Sequence, residues 1–203
     1  MSLSILLSMS AFALAASISP GPVNLVGLSS GSRYPLIRGL IFVSGATLGF
    51  LVLFVAVGLG LNQLFELWPA LFTVLRWAGI GFLLYLSFLL ARSDGELSSD
   101  HIKAPGFWTG VLMQWLNPKA WLASAAGIST YAPNGELQIL IIFTALYAVI
   151  CWLSLSSWVV AGAFFREAIH QPKYLKRFNQ LLALLLFLSC IVVIFSTGFY
   201  SFL

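Results

Sequence analysis

The sequence predicts an all-α integral membrane protein of six transmembrane helices, built as two inverted three-helix repeats with broken first and fourth helices. Three observations carry this prediction. The 203 residues are 60% hydrophobic and only 8% charged, with a mean hydropathy of +0.99, whereas about a quarter of a soluble domain is charged. The apolar runs are continuous over about 20 residues, the length of a bilayer-crossing helix, and do not alternate at period two as barrel strands do. Finally, prolines interrupt those runs at matching places in the two halves of the chain.

The first span is read at 3–31. It opens with "MSLSILLSMSAFALAAS", which has no basic n-region and stays apolar, so it is expected to be a retained helix and not a removed signal. Pro20, Gly21, Pro22 and Asn24 interrupt it. The second span, 36–60, carries Gly45 and Gly49 at the small-xxx-small spacing that suits close helix packing. The third, 70–91, includes "RWAGIGFLLYLS" from Arg76, a cation near the span's outer end that is expected to snorkel. The fourth, 107–132, is interrupted by "LMQWLNPKAWLAS". The fifth, 137–164, and the sixth, 178–202, complete the set, the last following "RFNQ" at Arg177. The polar connections "ARSDGELSSDHIKAP" and "REAIHQPKYLKR" are short, so residues 1–203 form a single transmembrane domain, with repeats at 1–91 and 105–203.

Arg33, Arg38, Arg92, Lys103, Arg166, Lys173, Lys176 and Arg177 fall in or beside the loops after spans one, three and five, and the opposite loops hold no Lys or Arg. Basic loops stay cytoplasmic, which places both termini outside. Topology accounts for the net charge of +4, and no nucleic-acid partner is expected. Trp68, Trp77, Trp108 and Trp158 lie near predicted span ends, where an indole meets the headgroups. Cys151 and Cys190 sit in apolar runs away from the prolines and read as packing residues.

Each half has three spans, an odd number, so the halves must run in opposite senses. Pro22 and Pro118 are 96 residues apart, and Arg76 and Arg177 are 101 apart. The breaks at Gly21 and Asn117 each lie ten residues from the basic ends of their spans, hence at similar depth for a rise of about 1.5 Å per residue. Secondary transporters place their sites where such broken helices meet. Pro20, Pro22 and Pro118 should free carbonyls near Ala16, Ile18 and Gln114, and free backbone groups at this depth need protein or a wet cavity around them. Pro22 is also a natural helix start, aiming a positive helix end at the bundle centre.

Lys119, charged and in mid-span, is a functional-site hypothesis by default. With Gln114, Asn117, Pro118 and Asn24 it could hold a zwitterion: the ammonium and helix ends for a carboxylate, the freed carbonyls and amide oxygens for an amine. The alternative is that the prolines only shape packing, the asparagines bond across helices and Lys119 snorkels.

"SPGPVNLVGLSS", "RWAGIGFLLYL" and "GFWTGVLMQWLNPKAW" together resemble the lysine-exporter (LysE/RhtB) superfamily of bacterial amino-acid exporters, over essentially the whole chain. "LGFLVLF" and "FWTGVLMQW" look closest to its cysteine/O-acetylserine branch. The resemblance implies export of a small amino acid or derivative, such as cysteine, O-acetylserine, threonine or homoserine, across the bacterial inner membrane in exchange for protons. It calls for no cofactor or metal, takes the lipid bilayer as its setting, and leaves a homo-oligomer open. Pro20, Gly21, Pro22, Asn24, Asn117, Pro118 and Lys119 are the motif positions. One departure stands out: many relatives carry an acid in the second span where this chain reads Gly49 and Phe50, and all six acids here, Glu66, Asp94, Glu96, Asp100, Glu136 and Glu167, lie in loops or at span edges. Lys119 is then the one mid-span ionisable group for proton coupling, with uniport as the alternative.

Two other classes compete. A membrane thiol-disulfide carrier would need Cys151 and Cys190 to meet as reactive thiols. An intramembrane enzyme would need a catalytic constellation, yet His101 and His170 are in loops, which leaves a Ser-Lys pair on Lys119 as the remaining route.

Overall fold

The computed structural model describes residues 2–60, 69–92, 104–168 and 172–196. Eight helices occur among them: α1 (Leu3–Ile18), α2 (Pro22–Arg33), α3 (Leu36–Gly58), α4 (Pro69–Ala91), α5 (Phe107–Trp115), α6 (Pro118–Tyr131), α7 (Leu137–Ala168) and α8 (Pro172–Ser196). The described residues contain no strand. Proline opens α2, α4, α6 and α8, where its fixed φ suits the first helical turn and its missing amide hydrogen would have had no partner anyway. Gly60, with φ of 100°, ends the α3 region in the left-handed conformation that side chains disfavour.

Among the described residues, α3 and Leu137–Arg166 of α7 are each long and apolar enough to cross a bilayer, and α1 with α2, bent by 61°, make a third span if taken together. The expected boundaries shift in the second half. α7 runs to Ala168 and not 164, and its 32 residues reach about 48 Å, beyond a hydrocarbon core of about 30 Å. α8 starts at Pro172, six residues before the expected 178, so Lys173, Lys176 and Arg177 ride on its first turns and not in a loop. Trp68, Glu66, Asp94, Glu96, Asp100, His101, Lys103 and His170 lie outside the described residues, as do the side chains of Arg76, Glu167 and Cys190.

At the centre is α2, all twelve of whose residues are buried. It packs on α7, α3, α8 and α5. Small residues permit this. A Cβ added to Gly31 would run into the Val159 carbonyl of α7, and one on Gly162 into the Leu28 carbonyl of α2. α3 and α5 meet in the same way, Gly45 against the Phe107 carbonyl and Gly110 against that of Phe42. The close packing expected of Gly45 and Gly49 is therefore present, with Gly49 set against the Val111 backbone.

Large apolar side chains such as Leu14, Leu48, Val52, Leu153 and Val160 point outward, while Asn24, Thr47, Gln114, Asn117, Ser124 and Asn179 are buried. A greasy exterior that keeps the polar side chains inside is the arrangement lipid selects, since polar groups are costly in hydrocarbon. The chain is a multi-pass membrane protein.

Candidate functional site

The first break is the turn Ser19-Pro20-Gly21 between α1 and α2. Carbonyls that α1 cannot satisfy internally are exposed here, and four successive ones receive side-chain donors. The Ser19 hydroxyl donates to Ala16 at 3.3 Å, Asn24 Nδ2 to Ser17 at 2.9 Å, the Trp158 indole to Ile18 at 3.1 Å and Lys119 Nζ to Ser19 at 2.5 Å. The donors beyond the turn come from α2, α7 and α6. The carbonyls of Ala16 and Ile18, expected to be free, are thus occupied. Trp158, expected at a headgroup, lies ten residues inside the end of the longer α7 and bonds within the protein.

At the second break, Leu116-Asn117, the backbone amide of Asn117 donates to the Gln114 carbonyl at 3.2 Å, so this carbonyl is not free either. The Asn117 side chain caps α6 by accepting from the Lys119 amide at 3.1 Å, and its Nδ2 reaches Gln114 Oε1 at 3.5 Å. Trp121 Nε1 donates to the Trp115 carbonyl at 2.8 Å. By contrast, Gly21 at the N-cap of α2 supplies no capping side chain. A Cβ on Gly21 would lie 3.1 Å from Lys119 Cδ and 3.2 Å from its Nζ, which explains why glycine lets the lysine pass.

Between the breaks is a cavity of about 30 Å³ bounded by Ser17, Asn24, Gln114, Asn117, Lys119 and Tyr147. Four of the eight sequence-predicted residues, Asn24, Gln114, Asn117 and Lys119, thus share one wall; Gly21 abuts Lys119, while Pro20, Pro22 and Pro118 shape the backbone and do not line it. Sequence reasoning missed Tyr147, whose buried hydroxyl has no partner; Cys151, expected as a packing residue away from the prolines, does pack in the buried core, 3% exposed, but also lines this cavity between the breaks. The hydrogen-bond partner of Lys119 Nζ is a backbone carbonyl and not a seryl oxygen, an arrangement unlike a Ser-Lys nucleophile pair.

A family model described as LysE type translocator matches residues 14–197. The chain belongs to the LysE family. It is similar to the cysteine/O-acetylserine efflux protein of Salmonella typhimurium, 30% identical over 186 residues that make up 91% of this chain and 94% of that one. The protein of the same name from Escherichia coli O157:H7 is 29% identical over 187 residues, 91% of this chain and 94% of the relative, and that from Klebsiella pneumoniae is 29% identical over 177 residues, 86% and 89%. No solved structure matches. Membership of a translocator family makes this chain a membrane transporter and not an enzyme.

The two sides of this LysE-family site differ. Beyond it, away from Arg33, the rings of Phe12, Phe50, Phe54, Tyr131, Phe143 and Tyr147 form a continuous cluster, with centroids 4.7 Å apart for Phe50 and Tyr147 and 5.1 Å for Phe54 and Phe143. Toward Arg33 a cavity of about 420 Å³ opens between α2, α4 and the start of α5. The second-span acid that the resemblance leads one to expect has no room at Gly49, where α5 backbone lies against α3, and at the next position Phe50 forms cavity wall.

Proposed function

We propose that the chain is a six-span secondary exporter of the bacterial inner membrane, termini outside, that moves a small amino acid or derivative such as cysteine, O-acetylserine, threonine or homoserine out of the cytoplasm in exchange for protons. The observation that carries this reading is the hydrogen bond from Lys119 to the Ser19 carbonyl, which joins the two helix breaks beside a cavity bordered by Asn24, Gln114 and Asn117. The names of the similar efflux proteins support the substrate class.

Two inverted repeats are supported by the packing pattern. α1 and α2 pack on α7 just as α5 and α6 pack on α3, and exchanging the halves maps α3 with α7 and α4 with α8 onto themselves. The third and sixth spans correspond to α4 and α8, and the fourth to α5 with α6.

In the mechanism, the lysine ammonium holds the position a substrate ammonium would take. An incoming amine bonds the Ser19 carbonyl, and the displaced Lys119 pairs with the substrate carboxylate, aided by the amino end of α2, which lacks a capping side chain. A cavity of about 30 Å³ is about the share of one water in the liquid, so loading requires α1–α2 and α5–α6 to separate. The aromatic cluster closes the outer side while the cavity beside Arg33 faces the cytoplasm, and rocking of the halves reverses this. Lys119 is the proton-carrying candidate.

Counterflow of radiolabelled cysteine, O-acetylserine, threonine and homoserine in proteoliposomes tests the reading without needing an ion gradient. Accumulation that depends on Lys119 supports it. Absence of exchange for all four removes the substrate class, and exchange unaffected by Lys119→Ala removes the site.

A further inference from the structure

We propose that the cavity beside Arg33 is a second substrate site, at which the guanidinium of Arg33 and the hydroxyl of Ser30 receive the carboxylate of a small amino acid before it moves to the helix breaks. This rests on the exporter reading and extends it to residues outside the paired breaks.

The sequence places Arg33 at a loop edge, but in the structure it closes the last turn of α2 and is only 8% exposed. Its guanidinium carbon is 5.5 Å from the Tyr34 ring centroid. Burying a cation is costly, and the Tyr34 ring and the carboxyl end of the helix each offset part of that cost. Ser30, one turn earlier, is 1% exposed, and its hydroxyl has no hydrogen-bond partner. Ser29 reaches Asn179 Oδ1 only at 3.5 Å. Ser32, on another face of the helix, is satisfied by the Ser29 carbonyl at 2.9 Å. Ser30, whose hydroxyl lacks a partner, thus lines the cavity together with Ser29 and Arg33. A ligand with two acceptor oxygens answers both the charge and the orphan hydroxyl.

The rest of the cavity suits the ligand's body. Phe82, Tyr85 and Trp108 form an aromatic wall, and among the described residues the lining holds no Asp or Glu. At about 420 Å³ it falls within the roughly 300–1,000 Å³ of small-molecule sites, and among the cavities described it alone has room for an amino acid in this state. The two cavities share a helix face: Val23 borders the central cavity and Val26, Ser30 and Arg33 border this one, a stripe spanning about 15 Å along α2. A carboxylate leaving Arg33 along that stripe meets the amino end of α2 next, where a helix favours an anion.

An anionic lipid phosphate offers the same oxygen chemistry, so the test separates the two sources. Equilibrium binding is measured on the purified full chain in detergent, in the Lys119→Ala background, with radiolabelled L-cysteine, L-threonine and cysteamine, the carboxylate-free analogue of cysteine. Arg33→Gln should weaken binding of an amino acid about tenfold or more, Ser30→Ala should weaken it severalfold, Arg33→Lys should retain most of it, and cysteamine should be indifferent to all three. Wild-type-like amino-acid binding in Arg33→Gln, equal loss of cysteamine binding, or no Arg33-dependent binding of either amino acid would overturn the site. So would an Arg33-dependent site filled by dioleoylphosphatidylglycerol and not by amino acid. Counterflow on wild-type protein reports separately on the exporter reading: counterflow without Arg33-dependent binding rejects this site alone, and Arg33-dependent binding without counterflow rejects export alone.

Discussion

The ammonium of Lys119 donates to the carbonyl of Ser19, one hundred residues earlier in the chain, and so ties the second helix break to the first. In the proposed mechanism, replacing Lys119 with Ala also removes the charge-assisted bond to the substrate carboxylate, of a kind that contributes about 1.5–3 kcal/mol, and counterflow is expected to fall by about 10- to 100-fold on that energy. Membrane insertion and monodispersity should persist, since the bond lies at a cavity and not in the packed core. Full activity in Lys119→Ala would remove the lysine from the site.

Gly21→Ala probes the same contact from the other side. The added methyl would sit 3.1 Å from Lys119 Cδ, so the lysine must shift while the backbone, extended at φ −161°, accepts alanine without strain. Transport should drop with little change in melting temperature. Unaltered transport would mean that the position of Lys119 is not critical.

Stability is expected to depend on which glycine is changed. Gly110→Ala and Gly31→Ala each place a methyl on a facing carbonyl that cannot move aside, and should cost about 1–3 kcal/mol through overpacking. Gly81, also helical, has nothing within 4 Å of such a methyl, and Gly81→Ala should raise stability by up to about 1 kcal/mol through helix propensity. Melting of the purified variants in one detergent decides this; a fall for Gly81→Ala comparable to the other two would contradict the packing described.

Tyr147→Phe removes a buried hydroxyl that has no partner. Such a deletion should leave stability unchanged or improved, because no bond is lost and a desolvated polar group disappears. A severalfold loss of transport at full stability would identify that hydroxyl as a substrate contact, the outcome expected from its place on the cavity wall.

The Cys151→Ser, Cys190→Ser double variant should keep counterflow activity, even though Cys151 borders the central cavity. A thiol carrier cannot function without both sulfurs. Loss of all activity in the double variant, restored by neither single reversion, would reopen that reading.

Some of this architecture was legible from local signals. Pro22 and Pro118 interrupt apolar runs, and α2 and α6 start at those residues, because a missing amide and a fixed φ act on the chain wherever it lies. Gly45 and Gly49 announced a close approach through their spacing alone. Asn24, Asn117, Gln114 and Lys119 stood out because polar groups are rare in greasy spans, and all four border one cavity.

What the sequence by itself determined was the set of helices, the places where they break and the polar residues at the breaks, all consequences of hydrophobicity and backbone chemistry along a few turns. Which side chains meet there was decided only by the tertiary structure. Trp158, Tyr147 and Cys151 sit in a span that is apolar around its whole circumference, so no periodic stripe marks the face turned inward. Arg33 resembled every other loop cation until α7, α3 and α8 enclosed its helix. The physical reason is that facing is set by interlocking backbones, with Gly31 against Val159 and Gly162 against Leu28. Contacts of that kind join residues more than a hundred positions apart, and no local pattern encodes them.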